Sequence, residues 1–150
     1  MTDFYSQVKS TIDKAGVDIA QAYGGSIKFV DLDDSVEVES LLSSDETAVV
    51  WELISLAEDP VAPLYTLQFG IGAKTTKDAG NYNMSDLLDA VHTTIKKDGS
   101  LDVVDYTPSG DGSTKRGYIY FTDVSVDPQL FDKASGIRLI SVSGRAVNNG

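Results

Sequence analysis

Residues 64–73 alternate without a fault. Tyr65, Leu67, Phe69, Ile71 and Ala73 fall on one side of an extended chain, and Leu64, Thr66, Gln68, Gly70 and Gly72 on the other. Successive side chains of a strand point to opposite faces, so this period of two fits a strand with one buried face and does not fit a helix. The two glycines imply close packing on the second face, or a bend. A strand of this kind needs neighbours to pair with and a layer to cover its apolar face, and the rest of the sequence must supply both.

It does so in the order helix, strands, helix, strands. Phe4, Val8, Ile12, Ile19 and Tyr23 recur at helical spacing and predict a helix over about 3–23. Thr2 is its expected N-cap, Gly16 its expected weak point, and Gly24-Gly25 its end. Strands are expected over 26–32 and 47–56, the latter with Val49, Trp51 and Leu53 on one side; 33–46 reads as strand followed by loop. After a polar loop, Ser85 is expected to cap a second helix. Its stripe is Leu87, Leu88, Val91 and Ile95, and Lys96 and Lys97 fall at its C-terminal end. Strands over 101–106, 117–126 and 137–147 complete the pattern, with Ile137, Leu139 and Ser141 on one face of the last. Residues 108–116, rich in Gly, Ser and Asp, read as the most flexible loop, and 128–133 as one helical turn. The expected fold is α+β, a mostly antiparallel mixed sheet with two helices packed on it, forming a single domain over 1–150.

Charge narrows the function. The 150 residues carry a net charge of −11, and between Lys28 and Lys74 there is no basic residue but ten carboxylates. Phosphate binding needs Lys and Arg, so general nucleic-acid binding is not expected. An acidic face of this kind either aids solubility or forms a surface to which DNA must not adhere, such as a channel wall. The N-terminal residues lack a basic region followed by an apolar run, and no stretch is apolar enough to span a bilayer; a soluble protein made in a cytoplasm is expected. There is no cysteine, which removes disulfides, thiolate nucleophiles and cysteine-ligated zinc.

Motifs for chemistry fail on inspection. Gly70-Ile71-Gly72-Ala73-Lys74-Thr75 follows a strand, but Ala73 and Gln68 stand where a phosphate-binding loop requires glycines. Asp31-Leu32-Asp33-Asp34 opens like a calcium loop, yet Val36 and Leu42 occupy the positions of its Gly and its bidentate Glu. His92 is the only histidine and no nucleophile elbow accompanies the serines. Twenty-three acids make a catalytic carboxylate pair easy to imagine and weakly supported. A non-enzymatic protein without metal or cofactor is expected, with a small carboxylate-dependent hydrolase or a peptide-binding module as the competing classes.

Three segments carry a resemblance. They are Trp51-Glu52-Leu53-Ile54-Ser55-Leu56 running into Glu58-Asp59-Pro60 and Pro63-Leu64-Tyr65; Phe69 through Asp78 with Asn81-Tyr82; and Asp127-Pro128-Gln129-Leu130-Phe131-Asp132 followed by Ser135-Gly136-Ile137-Arg138. Together with length and element order, these resemble the tail terminator proteins of long-tailed, siphovirus-like bacteriophages over most of the chain. The resemblance implies a virion protein at the head–tail junction, present in host cytoplasm during assembly. Such proteins form a ring, usually hexameric, that caps the tail tube, stops its growth and offers a joining surface to the head connector. The implied partners are copies of itself, the tail tube protein, the connector or stopper protein, and passing genomic DNA without specific binding; no membrane is implied. A neck, tail-completion or distal-tail ring component is the alternative placement. A ring built head to tail needs two different patches on each subunit. The candidate interface residues are Lys74, Lys77, Tyr82, Arg116, Gln129, Phe131 and Arg138; the candidate channel-lining residues are Asp31, Asp33, Asp34, Glu37 and Glu39.

Overall fold

The structure is a computed structural model that describes residues 3–24, 28–31, 48–58, 64–74, 81–132 and 137–149. Helix α1 (Phe4–Gly24) leads into strands β1 (Lys28–Asp31), β2 (Ala48–Glu58) and β3 (Leu64–Lys74). Helix α2 (Asn81–Val91) is followed by β4 (Ser100–Val104), β5 (Lys115–Asp132) and β6 (Ile137–Asn148). The strands form one sheet in the order β1-β2-β3-β6-β5-β4. Strands β2 to β6 are antiparallel throughout, and β1 joins the end of the sheet parallel to β2. The expected α+β architecture is the observed one.

The alternation in β3 has the predicted effect. Leu67, Phe69 and Ile71 are buried beneath the helices, with Val49 and Trp51 of β2, Ile140, Val142 and Ala146 of β6, Ile119 and Phe121 of β5, and Val103 of β4. Helix α1 contributes Phe4, Val8, Ile12, Ile19 and Ala20 to this core, and α2 contributes Leu87, Ala90 and Val91. Both helices therefore lie on one face of the sheet. Phe69 and Phe121 meet edge to face with ring centroids 6.5 Å apart, and Phe4 lies 5.1 Å from Tyr65. Gly144 faces Phe121 in this layer, and a Cβ there would approach the Tyr120 carbonyl oxygen to 2.6 Å. The second face is also buried at Val50, Gly70 and Gly72, so the close packing that the β3 glycines implied exists at that corner.

Several sequence expectations are corrected. Thr2 lies outside the described residues, and the cap of α1 is Asp3, whose Oδ1 accepts the Ser6 N–H at 2.7 Å. These hydrogen bonds hold the Asp3 carboxyl below its ordinary value. The helix runs unbroken through Gly16, which is buried. Helix α2 starts at Asn81, not after Ser85; Asn81 and Asn83 read as loop, although Met84 already stands at helical spacing to Leu87, Leu88 and Val91. It ends at Val91; Ile95 is buried from the turns that follow, so Lys96 and Lys97 are not in its last turn. Asp98 then adopts a left-handed φ of 64°, a conformation that short polar side chains tolerate.

Residues 128–132 are strand rather than a helical turn. The ladder with β6 slips between Val126 and Leu130, so Pro128, which has no N–H, sits where the register is irregular. In β6 the core phase is Ile140, Val142 and Ala146, opposite to the Ile137, Leu139 and Ser141 phase. In β2 a register shift between Leu53 and Ser55 inverts the alternation, so that Leu56 packs against the core.

The loop after β4 is organised rather than loose. The buried Asp105 accepts the Thr107 N–H at 3.0 Å and the Thr107 hydroxyl at 2.5 Å, and its carbonyl accepts the Gly112 N–H. A Cβ at Gly110 would run into the Asp105 carbonyl and carboxylate. Asp111 accepts from the Ser113 and Thr114 amides and pairs with Arg116 at 3.3 Å. Hydrogen bonds from the Thr114 side chain and from these two amides pull the Asp111 carboxyl down to about 2.

Candidate interaction surface

Two features of the sheet matter for contact with other molecules: how its edge is closed and what its uncovered face presents. Strand β4 is an edge strand, and an edge exposes backbone donors and acceptors that attract other strands. Here helix α1 closes the C-terminal end of that edge with hydroxyls. Thr11 Oγ1 lies 2.9 Å from the Val104 carbonyl and accepts the Val104 N–H at 3.1 Å. Ser10 Oγ lies 3.3 Å from the same carbonyl and accepts the Tyr106 N–H at 3.1 Å. Both hydroxyls also lie within 2.9 Å of the Gln7 carbonyl, the habitual partner of Ser and Thr inside a helix. Ser10 and Thr11 are buried, so these bonds are shielded from water.

The face of the sheet away from the helices is open over β3, β6 and β5. Its side chains follow from parity. Thr66 and Gln68 alternate with the buried Leu67 and Phe69, and Ser143 and Arg145 alternate with Val142 and Ala146. Ser55, Thr66, Gln68, Thr122, Ser143 and Arg145 line a shallow groove of about 310 Å3 there. Arg145 is the one charged residue among them, is exposed, and makes no ion pair among the described residues. Tyr120, its cross-strand neighbour, is 40 % exposed and donates its hydroxyl to Asp98 at 3.1 Å. That bond and the Asp98 charge hold the Tyr120 phenol above its ordinary value. Ile54, at the β2 register shift, is 49 % exposed. Lys115 and Asp102 form an exposed pair at 3.1 Å beside Tyr118, and Asp123 lies opposite Ser143.

The opposite side of the molecule differs in chemistry. Helix α2 turns Leu87, Ala90 and Val91 to the core and leaves Asp86, Asp89 and, just past its end, His92 exposed. Burial, and then the Asp86 charge, raises the Tyr23 phenol on α1 above its ordinary value.

Among the described residues, two buried side-chain donors have no partner. Trp51 is fully buried and its Nε1 has no hydrogen-bond partner among the described residues; the Lys9 ammonium lies 5.9 Å from its ring centroid. The Arg116 Nε is likewise buried and unpaired among the described residues, although its guanidinium reaches Asp111.

The candidate interface residues divide. Lys74 ends β3, Arg138 pairs with Ala73 and Leu130, and Gln129 and Phe131 flank Leu130, which places these four backbone positions at one end of the sheet. Arg116 lies near the other end, beside Gly117 opposite Asn148. Tyr82 is in the first turn of α2. The side chains of Lys74, Tyr82, Gln129, Phe131 and Arg138, and the whole of Lys77, lie outside the described residues. Among the channel candidates, Asp31 ends β1 opposite Trp51; Asp33, Asp34, Glu37 and Glu39 lie outside the described residues. Arg145, Thr66, Gln68 and Ser143 were not singled out from the sequence. Strand parity carried the signal: each alternates with residues of opposite character.

Among the described residues, no helix is long and apolar enough to cross a membrane. No protein-family model matches the chain, and no curated protein matches it.

Proposed function

We propose that this chain is a structural ring protein of a phage tail, a terminator that caps the tube and offers a joining surface to the head. The resemblance in three segments suggests it. The observation that carries it furthest is the uncovered β3–β6–β5 face, with Arg145 at its groove and Tyr120 and Ile54 exposed beside it. Exposed Arg and aromatic residues are enriched in protein–protein contacts. The groove is shallow and open, which suits a broad protein contact better than a small substrate. In this reading the ring works through complementary surfaces, not through a reacting group.

The test is assembly of tails with and without the protein, viewed by electron microscopy. Overlong tails in its absence, restored to uniform length by the purified protein, are expected. Tails of normal length that fail to join heads would move it to the neck. Normal, joined particles made without it would refute a role at this junction.

A further inference from the structure

We infer that the Arg145 groove of one copy receives the exposed Asp86–Asp89 stripe of helix α2 from the next copy. This rests on the ring reading and names the contact that would build it. The groove presents the chemistry of a carboxylate receptor: hydroxyls from Ser55, Thr122 and Ser143, the Gln68 amide and one guanidinium, while the Thr66 hydroxyl donates to the Ala57 carbonyl at 3.4 Å. Arginine takes a carboxylate through two parallel N–H bonds, and hydroxyls can donate to its remaining lone pairs. Arg145 has no ion-pair partner within its own chain among the described residues, so its charge is available.

A chain with 23 acids and 12 basic residues is itself an abundant source of such carboxylates. Asp86 and Asp89 are both exposed and three residues apart, which puts them side by side on the helix surface. Their neighbours along α2, Leu87, Ala90 and Val91, face the core, so the stripe points away from the sheet. Groove and stripe therefore lie on opposite sides of one molecule. A contact between unlike patches on opposite sides cannot pair two copies symmetrically; it propagates head to tail and closes into a ring when its rotation allows. Asp123, opposite Ser143 on the groove side, sets the register, because a stripe shifted toward it would meet a like charge.

The experiment is charge exchange on the full chain, read by sedimentation velocity across protein concentration. Arg145→Glu alone, and Asp86→Arg with Asp89→Arg, should each weaken self-association at least tenfold. The triple variant, with the charges exchanged, should recover to within about threefold of the parent. The absence of cysteine permits a second readout. A chain carrying Ser143→Cys and His92→Cys, which keeps both Asp86 and Asp89, should form a ladder of disulfide-linked multimers under mild oxidation, whereas either single cysteine should not. Charge variants that associate as the parent does, a natively folded triple variant that does not recover, or the absence of a ladder would each overturn the contact. If the tails are still overlong without the protein, the ring reading stands and only this contact falls.

Discussion

Replacing Thr11 by valine tests the hydroxyl closure of the sheet edge. Valine matches threonine in shape, so it leaves no cavity and removes only the hydroxyl. The Val104 carbonyl keeps Ser10 Oγ at 3.3 Å, but the Val104 N–H loses its acceptor at 3.1 Å. An unsatisfied buried donor costs about 1–3 kcal/mol. The added methyl returns about 0.8 kcal/mol of burial at most, so a net loss of about 0.2–2.2 kcal/mol, centred near about 1.2, is expected. Thr11→Ser keeps the hydroxyl and loses one methyl, a loss of about 0.8 kcal/mol. Valine should therefore be the more damaging substitution although it is the closer match in volume. Adding Ser10→Ala to Thr11→Val strips the Val104 carbonyl of both hydroxyls, and the pair should cost more than the sum of the two. Trp51 is the only tryptophan, so urea unfolding followed by its fluorescence reads these changes, with an unchanged slope if the denatured state is unaltered. Hydrogen exchange supplies the local check, since the Val104 amide should lose protection in Thr11→Val and keep it in Thr11→Ser. A valine variant at least as stable as the serine variant, with the Val104 amide still protected, would refute the reasoning.

Trp51→Phe removes the unpaired indole N–H, whose burial already costs about 1–3 kcal/mol, so it should destabilise by about 1 kcal/mol or less in thermal melts followed by circular dichroism; a loss above about 3 kcal/mol, the scale of emptying an aromatic site, would show that the donor is satisfied. Gly144→Ala should cost about 1–3 kcal/mol by urea titration, because the new Cβ meets backbone at Tyr120 and Phe121 that cannot rotate away. The Asp111 carboxyl should titrate near 2 by NMR, below the ordinary aspartate value of 3.8, so its contribution to stability is full above about 3.8 and fades as pH falls toward 2. Asp111→Asn should flatten acid unfolding in that window, and a midpoint near 3.8 in the native protein would contradict the turn geometry.

Where a single element wrote its own pattern, the sequence was readable. The β3 alternation and the α1 stripe needed no partner to interpret, and they fixed the two layers. The misses fall where a neighbour decides. Asn81 and Asn83 made the first turn of α2 read as loop, although Met84 already carried the helical spacing of Leu87, Leu88 and Val91. Pro128 argued against strand, and only the slip of register against β6 accommodates it. In β6, apolar residues occupy both phases, and the choice of Ile140 over Leu139 comes from what β3 and β5 place beside them. The edge closure could not be read at all, because it joins residues 93 positions apart. Arg145 was readable in part: parity turned it away from the core, but only the assembled strands gather Thr66, Gln68 and Ser143 around it.

The strand order carries a consequence for how the protein is made. Strand β6 comes last in sequence among the described elements yet occupies the interior of the sheet, flanked by β3 and β5. Until Ile137–Asn148 leaves the ribosome, the β2–β3 ladder and the β4–β5 ladder are two half-sheets with no shared hydrogen bonds. Each presents an unfilled flank, and pairings this distant in sequence close slowly. The nascent chain must wait for its keystone, and a polypeptide cut short before it would hold two ladders ready to pair with the wrong partner.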